Sequence, residues 1–154
     1  MHLTEHRGMT LSQFRELVAE LKRRADKDGL LTGWVDRDGT TCHVDTVKLY
    51  DVVKFLVEPA TKQSQSSYVE LVAPAGTRAQ TPKWFVSHWW GEPVLDFIAC
   101  VEQHAKVRAL KPEDAVYWVC AYANNQHKLD SDITADPKNS AFFKAMLVGH
   151  KFSL

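Results

Sequence analysis

The sequence is short of cysteine, of uninterrupted apolar runs and of charge of one sign, and each shortage excludes a class of protein. Its three cysteines, Cys42, Cys100 and Cys120, show no C-x-x-C spacing, which favours reduced thiols over a disulfide framework. No window approaches the roughly 18 apolar residues of a membrane span. Residues 1–7 also lack the apolar core of a signal peptide. We therefore expect a cytoplasmic protein with no membrane partner.

The charges balance, and the glycine-rich phosphate-binding motifs are absent. Nineteen basic and 19 acidic residues give a formal net charge of zero, which argues against nucleic acid as a partner. The basic cluster Lys22–Arg24 falls on the polar side of a predicted helix, so it indicates a solvated face. Neither a Walker A sequence nor G-x-G-x-x-G is present. A length of 154 residues fits one domain with its own core.

Apolar periodicity and capping signals predict four helices. Thr10 and Gln13 form a capping-box pattern in front of the first apolar stripe. Asp45 is expected to cap the second helix, and Pro59 is expected to end it. Gly149 should stop the last one. The predicted helices span 10–27, 46–57, 93–106 and 140–148.

Two strongly apolar segments, 84–90 and 115–123, are typical of buried strands. Strands that are apolar on both faces belong to parallel sheets covered by helices, and the helix between them completes a βαβ unit. Tyr68–Val72 is a shorter strand candidate, and Asp38-Gly39 marks a hairpin turn. We expect an α/β fold with a small, mainly parallel sheet, in which an N-terminal helical section, 1–82, packs on a core, 83–154.

Polar side chains follow both predicted strands, where an open α/β sheet binds its ligands. If the strands are neighbours, these side chains share one rim that suits a polar ligand with a flat ring, such as a nucleotide. The helix that begins at Pro93 favours an anion nearby. The alternative is that the two tryptophans are packing residues and that the two asparagines form a turn. The candidate ligand-binding residues are Ser87, His88, Trp89, Trp90 and Glu92 after the first strand, and Asn124, Asn125, Gln126 and His127 after the second.

Other chemistry has fewer residues to support it. Cys100 and His104 are four positions apart and share a helical face, but zinc needs three or four convergent ligands. Packing as a small hydrophobic side chain is the alternative for Cys100. Ser87 and His88 are adjacent on a predicted strand, so their side chains should point to opposite faces and cannot act as nucleophile and base to each other. Cys120 is expected mid-strand, as an inert buried thiol.

The run Phe85-Val86-Ser87-His88-Trp89-Trp90, its following helix and Tyr117-Trp118-Val119-Cys120 resemble the start of a Toll/interleukin-1 receptor (TIR)-like domain. The chain also resembles a divergent set of uncharacterised algal and protist proteins. The resemblance implies a TIR- or flavodoxin-like parallel sheet, a role in signalling through protein interaction, and NAD or a related nucleotide as ligand. The family's NAD-cleaving enzymes use a glutamate on a later helix, and no matching segment occurs here.

Three functions follow as expectations. The first is a TIR-like protein-interaction or nucleotide-sensing module without complete catalytic equipment. The second is an NAD-processing hydrolase whose catalytic acid is Glu92 or comes from a partner chain. The third is a small thiol or metal-binding protein that uses Cys100 and His104. A small open sheet also leaves a strand edge exposed, so we expect a protein partner or self-association.

Overall fold

The protein combines helices with two small sheets. Its structure is a computed structural model that describes residues 3–129 and 137–150. The strands are β1 (Met9–Thr10), β2 (Leu30–Val35), β3 (Thr41–His43), β4 (Trp84–Phe85) and β5 (Val116–Trp118). The helices are α1 (Leu11–Arg24), α2 (Leu49–Val52), α3 (Glu58–Thr61), α4 (Tyr68–Val72), α5 (Val94–Val107), α6 (Cys120–Ala123) and α7 (Ala141–His150), with a π-helical turn at Val53–Val57 and 3₁₀ turns at Thr4–His6 and Pro137–Asn139.

The larger sheet is mixed rather than mainly parallel. Its strand order is β1-β5-β4. β4 and β5 run parallel, with Trp84 opposite Tyr117, and α5 connects them, so the predicted βαβ unit is confirmed. β1 pairs with the other side of β5 in antiparallel orientation, with Met9 opposite Tyr117. The N-terminal section thus supplies an edge strand of the sheet, which the expectation of a mainly parallel sheet missed.

Both predicted core strands are shorter than expected. The strand predicted over 84–90 ends at Phe85, although Val86 N–H still donates to Trp118 O at 3.0 Å. The strand predicted over 115–123 ends at Trp118, and the chain then turns into α6. Both segments are rich in apolar side chains, and an apolar run alone does not distinguish a buried strand from a buried helical turn.

The first helix and the hairpin confirm their sequence signals. The side chains and N–H groups of Thr10 and Gln13 form a reciprocal capping box at the start of α1. The helix ends at Arg24, before the predicted 27, because Ala25 has an extended backbone with ψ of 145°. At the turn between β2 and β3, Asp36 Oδ1 accepts hydrogen bonds from the N–H groups of Asp38 and Thr40.

The second helical segment corrects two expectations. It begins at Leu49 with Lys48 as its N-cap, so Asp45 does not cap it. It also continues through Pro59 to the end of α3. A π-helical turn precedes the proline, and Pro59 lies in the first turn of α3, where its missing N–H costs little. Thr61 Oγ1 then donates to Val57 O at 2.7 Å.

The predicted strand Tyr68–Val72 is a helix. Ser67 Oγ accepts from Glu70 N–H, and the Glu70 carboxylate accepts from Ser67 N–H, which forms a second capping box. This reciprocal cap satisfies N–H groups that a helix start otherwise leaves unpaired. Ser67 and Glu70 thus have the same capping-box spacing as Thr10 and Gln13, and this spacing is a local signal for the start of α4.

The two C-terminal helices differ in how well their ends were predicted. α5 confirms the predicted helix, with Pro93 as N-cap. Ser140 Oγ accepts from Phe143 N–H at the start of α7. The helix does not stop at Gly149 but continues to His150. Glycine allows close packing at this position, since a Cβ there would lie 3.0 Å from Phe85 N of β4.

Aromatic rings form the centre of the core. Phe14 of α1 meets Phe97 of α5 at 5.9 Å between ring centroids and Tyr122 of α6 at 5.8 Å. On the other side of the sheet, Trp118 stacks on Phe85 at 5.3 Å and contacts α7. Among residues 3–129 and 137–150, no helix has the length and apolarity needed to cross a bilayer.

Candidate functional site

A cavity of about 300 Å³ lies between the segment that begins with β4 and one face of α5. We call it the α5 cavity. Three residues predicted to bind a ligand, Ser87, His88 and Glu92, line it together with the two metal candidates, Cys100 and His104. From the sequence alone these two groups belong to separate sites, whereas in the structure they line one cavity. The remaining lining residues are Trp84, Phe85, Val86, Phe97, Val101 and Tyr117.

Helical spacing brings the α5 side chains to this cavity. Phe97 and Val101 are four positions apart, as are Cys100 and His104, so the two pairs occupy adjacent rows of one helix face. The position of Cys100 and His104 follows from the burial of α5. The helix buries Phe97 and Val101 against the core, so the neighbouring row lies at the edge of the buried face. Cys100 is exposed and His104 is half-buried.

His104 is held in place by aromatic neighbours. Its Nδ1 is hydrogen-bonded to the hydroxyl of Tyr117 at 2.9 Å. Its ring meets Trp84 edge-on, with 5.1 Å between centroids. No other described residue bonds its Nε2, so that nitrogen is the one left for a ligand. Burial lowers the pKa of His104, and the positive charge of Arg108 lowers it further.

His88 is the second imidazole of the α5 cavity. Its ring lies against Phe97 with 4.2 Å between centroids. Burial lowers its pKa, and the carboxylate of Glu92 opposes that shift. Both histidines are therefore neutral near pH 7, and a neutral imidazole offers one donor and one acceptor nitrogen.

Ser87 and His88 both border the α5 cavity, beyond the end of β4. The chain leaves the sheet after Phe85, so the strand alternation on which the opposite-face prediction depends does not apply to them. The structure records no hydrogen bond between these two described side chains, and they do not form a nucleophile–base pair.

The two tryptophans have different environments. Trp90 is half-buried, its Nε1 donates to Cys120 Sγ at 3.4 Å, and its ring meets Tyr50, so the packing interpretation holds for it. Trp89 is 73% exposed, which rules out a packing role. Cys120 lies at the start of α6 rather than mid-strand, and burial raises the pKa of its thiol.

The second predicted group lies elsewhere and contacts other segments. Asn125 Nδ2 donates to Gln65 O at 2.6 Å, and His127 Nε2 lies 2.9 Å from Thr61 Oγ1. Gln126 Nε2 donates to Ala121 O at 2.9 Å. These residues and Asn124, all of which the structure describes, are not among those that line the α5 cavity. Their role in ligand binding stays a prediction.

The α5 cavity favours a ring over a phosphate. Its described lining contains no lysine or arginine, and it contains the carboxylate of Glu92. The N-terminus of α5 has few N–H groups left for an anion: Val94 N–H donates to Val47 O, and the N–H groups of Asp96 and Phe97 donate to Pro93 O. The anion expected near Pro93 therefore finds little support.

The structure is a mixed α/β protein, and the partly apolar α5 cavity brings together two imidazoles, a thiol and the carboxylate of Glu92. In the part of the chain that the structure describes, no three His, Cys, Asp or Glu side chains are placed to share a metal ion, so Cys100 and His104 remain a pair. Comparison with protein-family models, with curated proteins and with solved structures finds no match to this chain. The TIR-like resemblance stays a prediction.

Sequence reasoning missed the aromatic walls of the cavity. Trp84 and Tyr117 lie in the two segments that predict buried strands, and Phe97 lies in the helix predicted over 93–106. Phe97 had a signal in the sequence, because it lies next to the Cys100 and His104 row on α5. Trp84 and Tyr117 had none, because they reach the cavity through the pairing of β4 with β5.

Proposed function

We propose that the protein is a binding module that senses a nucleotide, or a related molecule with a flat polar ring, through the α5 cavity. The observation that carries the proposal is the convergence of aromatic walls and two neutral imidazoles, those of His88 and His104, on one cavity. Apolar surfaces with a few convergent polar groups are typical of small-molecule sites. A TIR-like module without complete catalytic equipment would use such a site for sensing.

The size and charge of the cavity limit the range of ligands that fit it. A volume of about 300 Å³ is at the lower end of the range for small-molecule sites and accommodates one ring system with part of a sugar. Phosphates would remain outside, because no lysine or arginine of the described chain lines the cavity. The Glu92 carboxylate favours a ring with hydrogen-bond donors or a positive charge. The nicotinamide end of NAD has both properties.

A filled-cavity variant tests the proposal. Cys100→Trp places an indole in the cavity mouth, whereas Gln103→Trp adds the same side chain at an exposed position that faces another groove of α5. Isothermal titration with NAD, nicotinamide mononucleotide and adenosine monophosphate should show saturable binding to the wild type and to Gln103→Trp. Cys100→Trp should bind these nucleotides at least tenfold more weakly. Equal binding by both variants, or none by the wild type, would refute the proposal.

The second candidate is an NAD-processing hydrolase, because Glu92 lines the same cavity. Nicotinamide release from NAD would be measured at high protein concentration. Glu92→Gln removes the proposed acid with little change of shape, and Glu16→Gln makes the same change at an exposed position of α1. Activity that Glu92→Gln abolishes and Glu16→Gln retains would favour the hydrolase over the sensor.

Partners remain a separate proposal. The sequence predicts a protein partner or self-association from the edge of a small sheet, and β1 and β4 are the edge strands of the described sheet. Sedimentation velocity over a range of concentrations, with and without NAD, measures it. A monomer under all conditions would count against self-association while leaving ligand binding untouched.

A further inference from the structure

The hydroxyl of Tyr117 determines which nitrogen of His104 carries the ring proton. Tyr117 is only 2% exposed, and its hydroxyl lies 2.9 Å from His104 Nδ1. Among the described residues, the other acceptor near this hydroxyl is Val101 O, at 3.5 Å. That distance is beyond the normal range of an O–H···O hydrogen bond. The imidazole is therefore the better partner for the hydroxyl.

Two positions of the ring proton are possible, and burial selects between them. If Nδ1 carries the proton, it donates to the Tyr117 oxygen, and the hydroxyl proton keeps only the 3.5 Å contact with Val101 O. The cost of a buried donor without a good acceptor corresponds to roughly tenfold or more in an equilibrium constant. If Nε2 carries the proton, the hydroxyl donates to Nδ1 at 2.9 Å and is satisfied. The second arrangement is favoured.

The protonated nitrogen, Nε2, is accessible to a ligand. It has no hydrogen bond to another described residue, and it is not one of the buried side-chain atoms without a partner. His104 lines the α5 cavity, where the edge-on contact with Trp84 and the bond from Tyr117 hold its ring. His104 thus offers a ligand an N–H donor whose orientation is fixed by its neighbours. A protonated Nε2 has no lone pair for a metal ion.

The cavity also contains an acceptor. The carboxylate of Glu92 lines it and, when ionised, only accepts hydrogen bonds. A ring that satisfies both groups carries an acceptor for His104 Nε2–H and a donor for Glu92. A carboxamide or a ring lactam has both, because its carbonyl oxygen accepts and its N–H donates.

We propose that the α5 cavity recognises a ring that bears an amide carbonyl, to which His104 Nε2–H donates. Tyr117 is the positioning residue that holds His104 as a donor. The inference rests on the proposed ring-binding function and names the chemical class of the ring.

Nitrogen-15 spectra of the ligand-free protein test the position of the proton. Long-range proton–nitrogen correlations at pH 7.5 should show a protonated Nε2 and an unprotonated Nδ1 for His104, whose signals are those lost in His104→Asn. Tyr117→Phe should move both signals towards the average of the two tautomers. Tyr122→Phe removes the same atom from a buried tyrosine with no recorded contact to His104 and should leave them unchanged. A protonated Nδ1 in the wild type, or unchanged signals in Tyr117→Phe, overturns the proposal and leaves ring binding standing.

A thermodynamic cycle tests the contact with the carbonyl. Isothermal titration compares NAD with its 3-aminopyridine analogue, which keeps N–H donors and lacks the carbonyl. His104→Asn keeps an acceptor for the Tyr117 hydroxyl but lacks the outer N–H, so it should bind NAD about fivefold more weakly than the wild type does. It should bind the analogue as the wild type does, because the contact is already absent. Tyr117→Phe should weaken NAD binding by only about twofold, since one of its two tautomers still donates.

The outcomes separate this inference from the proposed function. An equal loss of affinity for NAD and for the analogue in His104→Asn overturns the carbonyl contact, while ring binding stands. Binding of the analogue to the wild type as tightly as NAD has the same meaning. Absence of NAD binding to the wild type refutes the proposed function and the ligand class together.

Discussion

Removing one hydroxyl from each of two buried tyrosines should change stability in opposite directions. Tyr117 is 2% exposed and Tyr122 is fully buried, so Phe replaces each with nearly the same loss of volume. The Tyr117 hydroxyl bonds His104 Nδ1 at 2.9 Å. The Tyr122 hydroxyl has no hydrogen-bond partner among the described residues. The pair therefore separates the value of a hydrogen bond from the cost of an unpaired buried group.

The expected magnitudes follow from these environments. Tyr117→Phe loses a hydrogen bond worth about 1 kcal/mol. Tyr122→Phe removes a buried hydroxyl whose desolvation costs roughly 1–3 kcal/mol, partly offset by lost contacts, for a gain of about 1 kcal/mol. The same burial raises the pKa of Tyr122 far above its ordinary value. The two variants should thus differ by about 2 kcal/mol, or about 4–8 °C in melting temperature for a chain of this size.

Urea denaturation and differential scanning calorimetry of the wild type and both variants measure the difference. Tyr122→Phe should unfold at or above the wild-type midpoint, and Tyr117→Phe below it. Loss of more than about 1 kcal/mol in Tyr122→Phe would contradict an unpaired hydroxyl, because removing an unpartnered buried group should not destabilise the protein by that much. That result would refute the reasoning.

Three further predictions concern a cap, the histidines and the thiols. Ser67→Ala should lower the free energy of unfolding by about 1 kcal/mol in urea, because Glu70 N–H loses its cap, and no change would contradict the capping box. Burial lowers the pKa of His88 and His104 below 6.5 in the folded state alone, so the unfolded chain binds protons first. The urea midpoint should therefore decrease as the pH is lowered from 7.5 to 5.5, and it should decrease less in a variant with both His88→Gln and His104→Gln. An equal decrease in the wild type and in this variant would contradict the prediction. Cys100 is exposed, whereas burial, and then the charge of Asp51, raises the pKa of Cys42 to about 11, so an aromatic disulfide reagent should modify Cys100 first. Mass mapping that finds Cys42 modified first would contradict it.

The sequence predicts the elements that depend on local signals. The Thr10 capping box, the Asp38-Gly39 turn and the helix after Pro93 are all present, because each arises from side-chain and backbone chemistry within a few residues. The parallel pairing of β4 with β5 also follows from their apolar pattern.

The expectations that failed depend on contacts distant in sequence. β1 has two residues, and its pairing with β5 has no local signature. The early end of β4 also follows from where its partner strand ends. The failure at Tyr68–Val72 differs, because the Ser67–Glu70 spacing was a local signal that was passed over.

The candidate site was predicted in part. Ser87, His88 and Glu92 were selected by their position after a strand, and Cys100 and His104 by their helical spacing, and these five line one cavity. That the two sets meet depends on how α5 lies against β4, which no periodicity encodes. For the same reason, the sequence could not show that Asn124–His127 lie apart from the residues that line the α5 cavity.

The most direct test of the central claim is whether a bound ring lies in the α5 cavity. Nuclear Overhauser effects would be recorded on the protein saturated with NAD, with assigned ring protons of His104 and Phe97. The account predicts effects between these rings and the nicotinamide protons that disappear in Cys100→Trp and persist in Gln103→Trp. Binding of NAD with no effect to either ring would contradict it.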